Sequence, residues 1–145
     1  MSAIEPLCCL LGINPQNLSK AEHTFLEAEF FYDLCEQLKE IFRKKHREFF
    51  RLMKLTIQSE EIMLEENFIR LLINDTLYSK EYTLEGIARY TNTHEDVIHE
   101  IVAGNNSNPS AMLLRKLIEL HRLVRRELYE ELMKNIVAKY LVPHS

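Results

Sequence analysis

Residues 83–104 read TLEGIARYTNTHEDVIHEIVAG, and their spacing decides the fold. Thr83 can cap a short helix whose inward face is Leu84, Ile87 and Ala88. Asn92 stands where the chain must turn sharply, and Asn tolerates the left-handed conformation better than most residues. Thr93 is the expected cap of a second helix, with Asp96 three residues on in a variant of the capping box. Val97, Ile98, Ile101 and Val102 give that helix its buried face, and Gly104 ends it from the position just past the cap. The small Ala88 opposite Ile98 lets two such helices cross closely at a steep angle, which is the arrangement of a helix-turn-helix.

Further helices are expected on both sides. Ser59, followed by Glu60 and Glu61, marks a helix start, and its apolar positions run through Phe68, Ile69, Leu72 and Ile73 to near Leu77. Beyond Gly104, Pro109-Ser110 opens a final helix expected to reach about Tyr140. Its rows are Leu113–Leu117–Leu120–Val124 and Leu128–Leu132–Ile136–Tyr140, and Pro143 ends it. Toward the amino terminus, Ser19 and Glu22 form a capping box, and no Gly or Pro interrupts the chain from there to about Ile57. Phe31, Leu34, Leu38 and Ile41, with Cys35, Phe42 and Phe49, make a wide apolar stripe. The run Arg43–Arg47 spoils it, so this arm is one bent helix or two helices meeting near His46. Residues 1–18, punctuated by Pro6, Gly12 and Pro15, read as an irregular lead-in. The organisation expected is therefore an irregular segment 1–18, a helical arm 19–58 that offers a dimerisation surface, and a helix-turn-helix module with a long terminal helix, 59–145.

Composition agrees with an all-α class. Three Gly and four Pro in 145 residues are too few for many turns and strands, whereas Leu, Glu, Lys and Arg, all strong helix formers, are frequent. The net charge of −4 is uneven: 8 Lys and Arg face 12 Asp and Glu in residues 1–69, and 10 face 10 in residues 70–145. The second half is neutral, so bulk charge does not announce a polyanion partner. Cys8, Cys9 and Cys35 read as reduced thiols, and the opening residues carry neither a signal peptide nor a membrane span. A cytoplasmic protein without a membrane segment is the expectation.

The stretch 83–104 resembles the helix-turn-helix of the lambda-repressor/Cro family. Ile87, Ala88, Ile98, Ile101 and Gly104 fall on that family's pattern without a gap, and Asn108-Pro109-Ser110 with Leu113 is similar to its habitual opening of the next helix. The resemblance covers about residues 60–125. It implies a DNA-binding transcriptional regulator, a homodimer whose two halves each read a half-site of double-stranded DNA. This chain departs from the pattern at Leu84, where the family usually has Gln on a phosphate, and at Asn92, where Gly is common.

The resemblance sets the second helix of the pair against the major groove, with His94, Glu95, Asp96, His99 and Glu100 pointing outward. Glu95 and His99 are the expected base-edge contacts. Arg89, Asn105, Asn106, Arg115 and Lys116 are the expected phosphate contacts, and Thr83, Thr93, His94 and Ser107 complete the candidate set. Three outward carboxylates oppose a phosphate-lined groove, since most affinity comes from neutralising phosphates. That pattern, with the apolar arm, supports an alternative: a helical adaptor that keeps the helix-turn-helix shape and binds protein.

Other motifs read more plainly. His94 and His99 stand five apart, about 140° around a helix, where a metal pair needs four, so metalloprotease chemistry and a metal site are not expected. The basic run Arg43–Arg47, with Arg51 and Lys54, reads as a solvated face with Glu40 and Glu48 in pairing reach. Arg122, Arg125 and Arg126 have Glu119, Glu127 and Glu130 as intrahelical partners. No nucleophile–base pair or Gly-rich phosphate loop occurs, so neither catalysis nor a cofactor is expected.

Overall fold

A computed structural model describes residues 8–9, 11–106 and 109–141. The fold is all-α: among the described residues there are seven α-helices and no strand. They are α1 (Lys20–Lys45), α2 (Arg47–Leu52), α3 (Ile57–Tyr78), α4 (Leu84–Tyr90), α5 (Glu95–Val102), α6 (Ala111–Val124) and α7 (Arg126–Leu141), preceded by a 3-10 turn at Pro15–Asn17. No described helix is long and apolar enough to cross a membrane. The chain forms two compact units: one takes the residues up to Glu40 with those from Glu127 on, the other is Ile41–Arg126.

The first unit is built on the earlier part of α1 and on α7. The capping box at the start of α1 forms as expected: Ser19 Oγ accepts from the Glu22 amide at 3.1 Å, and Glu22 Oε1 accepts from the Ser19 amide at 3.0 Å. That backbone hydrogen bond holds the Glu22 carboxyl below its ordinary range. Phe30, Leu34, Cys35 and Leu38 are buried, as are Tyr129, Leu132, Met133, Ile136 and Val137 of α7. Lys139 Nζ donates to Asp33 Oδ1 at 3.2 Å and Asn135 to Gln37 at 3.4 Å, tying the two helices together. Leu34, Cys35, Leu38 and Phe42 of the arm's apolar stripe are thus buried, whereas Phe49 stays exposed, and Phe25 and Tyr32 are the exposed aromatics of α1.

The second unit carries the helical pair read from residues 83–104. Its core gathers Ile73 from α3, Ile87 and Ala88 from α4, Ile98 and Ile101 from α5, and Leu113, Leu117 and Leu120 from α6. These positions keep the 3–4 spacing that defines one buried face per helix. Phe42, near the end of α1, meets Phe68 edge-to-face at 6.2 Å between ring centroids.

Some helix ends follow the sequence reading and others depart from it. The arm does divide near His46, whose backbone leaves the helical region (φ −104°, ψ 18°) between α1 and α2. Helix α3 starts earlier than expected, because Thr56 rather than Ser59 is its cap. The Thr56 hydroxyl accepts from the Ser59 amide and donates to the Ser59 hydroxyl, so Ser59 becomes the third residue of the helix. Within the basic run, Arg43 reaches Glu60 and Glu61, both at 3.8 Å, and Lys45 reaches Asp75 at 3.3 Å. These partners lie on α3, while Arg51 pairs with Glu48 at 2.7 Å as expected.

The last departure is the break in the final helix. No Gly or Pro stands between Ala111 and Leu141, yet Arg125 takes φ −126°, ψ 51° and separates α6 from α7. Its side chain is held by Asp75, with Nε to Oδ2 at 3.0 Å and Nη2 to Oδ1 at 3.3 Å, rather than by a neighbour on its own helix. His121, fully buried, donates from Nε2 to Asp75 Oδ2 at 2.6 Å, since an ionised carboxylate only accepts. The His121 hydrogen bond, and then that of Arg125, hold the Asp75 carboxyl far below the usual carboxylate range against the opposing effect of burial.

Candidate nucleic-acid interface

The α4–α5 pair is fastened at each end by short-range hydrogen bonds. Thr83 caps α4 as expected, its Oγ1 accepting from the Gly86 amide at 3.0 Å. At the other end the Asn92 amide donates to Arg89 O at 3.2 Å and the Thr93 amide to Ala88 O at 2.9 Å, the paired bonds of a Schellman motif. Asn92 has φ 52°, so it fills the left-handed position usually given to Gly. Thr91 is buried in this turn, and its hydroxyl donates to Ile87 O at 2.9 Å. Sequence reading passed over Thr91; its polar type gave no sign of burial.

Thr93 is not the cap of α5. Its amide is committed to Ala88 and its hydroxyl donates to Thr91 O at 3.2 Å, so the helix begins one residue later. His94 takes the role, with Nδ1 accepting from the Asp96 amide at 3.2 Å. Helix α5 closes with a second Schellman motif: Gly104 donates to Ile101 O and Asn105 to Glu100 O, with Gly104 at φ 80°.

Clamped in this way, α5 has two unlike faces. Ile98 and Ile101 are 0 % and 2 % exposed against Ile87 and Ala88, whereas His94, Glu95, Asp96, His99 and Glu100 all reach solvent. His99 Nε2 lies 3.3 Å from Glu95 Oε1, one turn away on the same face. Arg89, the nearest cation on α4, is exposed and bound to Glu85 at 2.7 Å. An exposed pair four residues apart holds by only about 0.3–0.5 kcal/mol, so a phosphate can displace it. Glu95 and Asp96 suit the positive end of the helix dipole, which steadies α5 but makes its tip a poor seat for an anion.

The remaining candidates separate into two places. Asn105 is exposed and Asn106 half-buried in the loop after α5, and Ser107 lies outside the described residues. Arg115, exposed, and Lys116, half-buried, belong to α6. One cation near this site escaped the sequence reading. Arg70 of α3 brings its guanidinium to Gly104, where an added Cβ would meet Nη1 at 3.8 Å. With Glu65, Glu66, Asn67, Gly104 and Asn106 it lines a polar cleft of about 330 Å³. Thirty-odd residues separate Arg70 from that loop, and no local pattern links them.

Nearby, Tyr82 and Tyr90 meet edge-to-face at 6.5 Å, and burial, then Glu119, push the Tyr90 hydroxyl above its ordinary pKa. Among the described residues no group of three or more His, Cys, Asp or Glu is placed to hold a metal ion. Comparison with protein-family models, curated proteins and solved structures found no match.

Proposed function

We propose that the protein is a DNA-binding regulator whose helix α5 lies in the major groove of duplex DNA, working as a two-fold pair. One observation carries the reading: the inner face of α5 is locked by Ile98 and Ile101 while its whole outer face is left to solvent. A short helix held rigidly by its neighbours and polar on the outside is what groove reading requires. Glu95 and His99 then face base edges, a carboxylate accepting from cytosine N4. Arg89, Arg115 and Lys116 meet phosphates, with Asn105 and Asn106 beside them.

The test is a titration with mixed-sequence duplex at two salt concentrations. Three phosphate-bound cations per copy give a salt slope near −2.7 for each copy bound, so binding of a single copy weakens about 40-fold between 50 and 200 mM salt and that of a pair more steeply. Replacing Arg115 and Lys116 by Glu removes the signal. Neutralising the outer face, with Glu95→Gln, Asp96→Asn and Glu100→Gln together, strengthens nonspecific binding about tenfold, because three repulsive charges leave the groove. If DNA binding is present but indifferent to those three changes, α5 does not face the groove.

A second reading, a protein-binding adaptor, is favoured by the same three carboxylates and by the Arg89–Glu85 pair, which leave the face acidic. Absence of any salt-sensitive DNA binding at 50 mM would select it.

A further inference from the structure

Helix α3 and the loop that closes α5 bound the polar cleft of about 330 Å³, all of it inside the second unit. Small-molecule pockets begin at about 300 Å³, so the cleft is large enough to hold a ligand. Its charges come from Glu65, Glu66 and Arg70 on α3. Glu66 and Arg70 stand four apart, in the order that favours an ion pair along a helix. Among the described residues, however, neither has an ion-pair or hydrogen-bond partner. The Arg70 guanidinium reaches across to Gly104 instead, where Nη1 lies 3.8 Å from the position of an added Cβ. Two opposite charges are thus held apart beside an open space rather than neutralising each other. Asn67 is fastened by donation from Nδ2 to Met63 O at 2.8 Å, which leaves its carbonyl oxygen as an acceptor. Ile69 and Ile101 add apolar surface to the same cleft.

We propose that this cleft binds a free amino acid with a cationic side chain, of the size and charge of lysine. The ligand's carboxylate sits on the Arg70 guanidinium, whose planar fork donates two parallel hydrogen bonds to it. Its two ammonium groups take the negative side made by Glu65 and Glu66, with the Asn67 carbonyl as a further acceptor. The methylenes between them lie on Ile69 and Ile101. Charge balance selects this class. Two carboxylates and one guanidinium match one carboxylate and two ammonium groups, whereas an acidic amino acid would bring like charge to Glu66 and a plain diamine would leave Arg70 unmatched. Binding here requires no DNA, so it stands or falls apart from the DNA-binding reading.

Proton–nitrogen correlation spectra of the full chain, without DNA, test the proposal with L-lysine as the probe. Gly104 is one of only three glycines, so its amide is readily followed. The Gly104 and Ile101 amides shift saturably, with a Kd of about 0.1–1 mM, as befits a ligand of about ten heavy atoms. Cadaverine, which is lysine without its carboxylate, binds the wild type at least tenfold more weakly. Nα-acetyl-L-lysine, which keeps a single ammonium as a chain-terminal lysine does, binds at least about fivefold more weakly. Arg70→Gln and Glu66→Gln, both at exposed positions, each weaken L-lysine at least tenfold, and Arg70→Gln does not weaken cadaverine. Absence of saturable shifts up to about 10 mM L-lysine overturns the proposal, since the expected range is then exceeded. So does cadaverine, acetylated lysine or L-glutamate binding as tightly as L-lysine, or lysine binding that survives Glu66→Gln. The analogue titrations use wild-type protein, so the test does not depend on either variant folding.

Discussion

Removing the Asp75 carboxylate is the most searching perturbation of the second unit. Asp75→Ala leaves the fully buried His121 ring and the Arg125 guanidinium without their shared acceptor, and Lys45 without its partner at 3.3 Å. Breaking a buried ionic cluster from one side costs about 3–5 kcal/mol. We take about 3 kcal/mol, since Arg125 and Lys45 can turn to water. For a chain of this length that lowers Tm by roughly 9 °C. The assay is urea unfolding followed by circular dichroism, wild type beside variant, at pH 7 and again toward pH 3. The sign follows from the depressed carboxyl. Its contribution is fully present above the unfolded carboxylate value near 4 and is lost as pH falls toward the far lower folded value. Roughly 1 kcal/mol of the difference between wild type and variant has therefore gone by pH 3. A cost below 1 kcal/mol at pH 7, or a gap that widens on acidification, would refute the cluster as the clamp on α6.

Three further outcomes probe the helical pair and its ends. Ile98→Ala removes a fully buried side chain of the core that also holds Ala88 and costs about 3–4 kcal/mol in urea unfolding, whereas Glu100→Ala on the outer face costs under about 0.5 kcal/mol. Thr83→Ala loses a true cap and about 1 kcal/mol, while Thr93→Ala, whose hydroxyl bonds only Thr91 O, loses about half as much; equal losses would restore Thr93 as a cap. Lys80, at φ 65° after α3, is a strained left-handed residue, so Lys80→Gly raises the unfolding free energy by about 0.5–1 kcal/mol, and Gly104→Ala, at φ 80°, lowers it by about 1–2 kcal/mol.

The helical pair was legible because each of its determinants is local. Thr83 sits three residues before the amide it caps, Asn92 and Gly104 carry the left-handed turns, and Ile87, Ala88, Ile98 and Ile101 keep helical spacing. The capping errors have a local cause too. Thr93 and Ser59 are good cap formers, but Thr93 had already given its amide to the preceding helix end, and Thr56 offered a competing hydroxyl. A residue type advertises what it can do; the backbone before it decides whether the position is free. Of the candidate site, the outward set on α5 was readable from the same periodicity, while Arg70 beside Gly104 was not.

Sequence alone settled the all-α class and which face of α4 and of α5 is buried, because capping and amphipathic spacing act within four or five residues. Tertiary structure alone decided the rest. It broke the 111–141 run at Arg125, where an apolar pattern without Gly or Pro promised one helix, because Asp75, fifty residues earlier, captured the side chain. It also joined the described residues up to Glu40 to those from Glu127 on as one unit. Both are long-range pairings, and their free energy depends on which groups meet in space, a quantity that spacing along the chain does not encode.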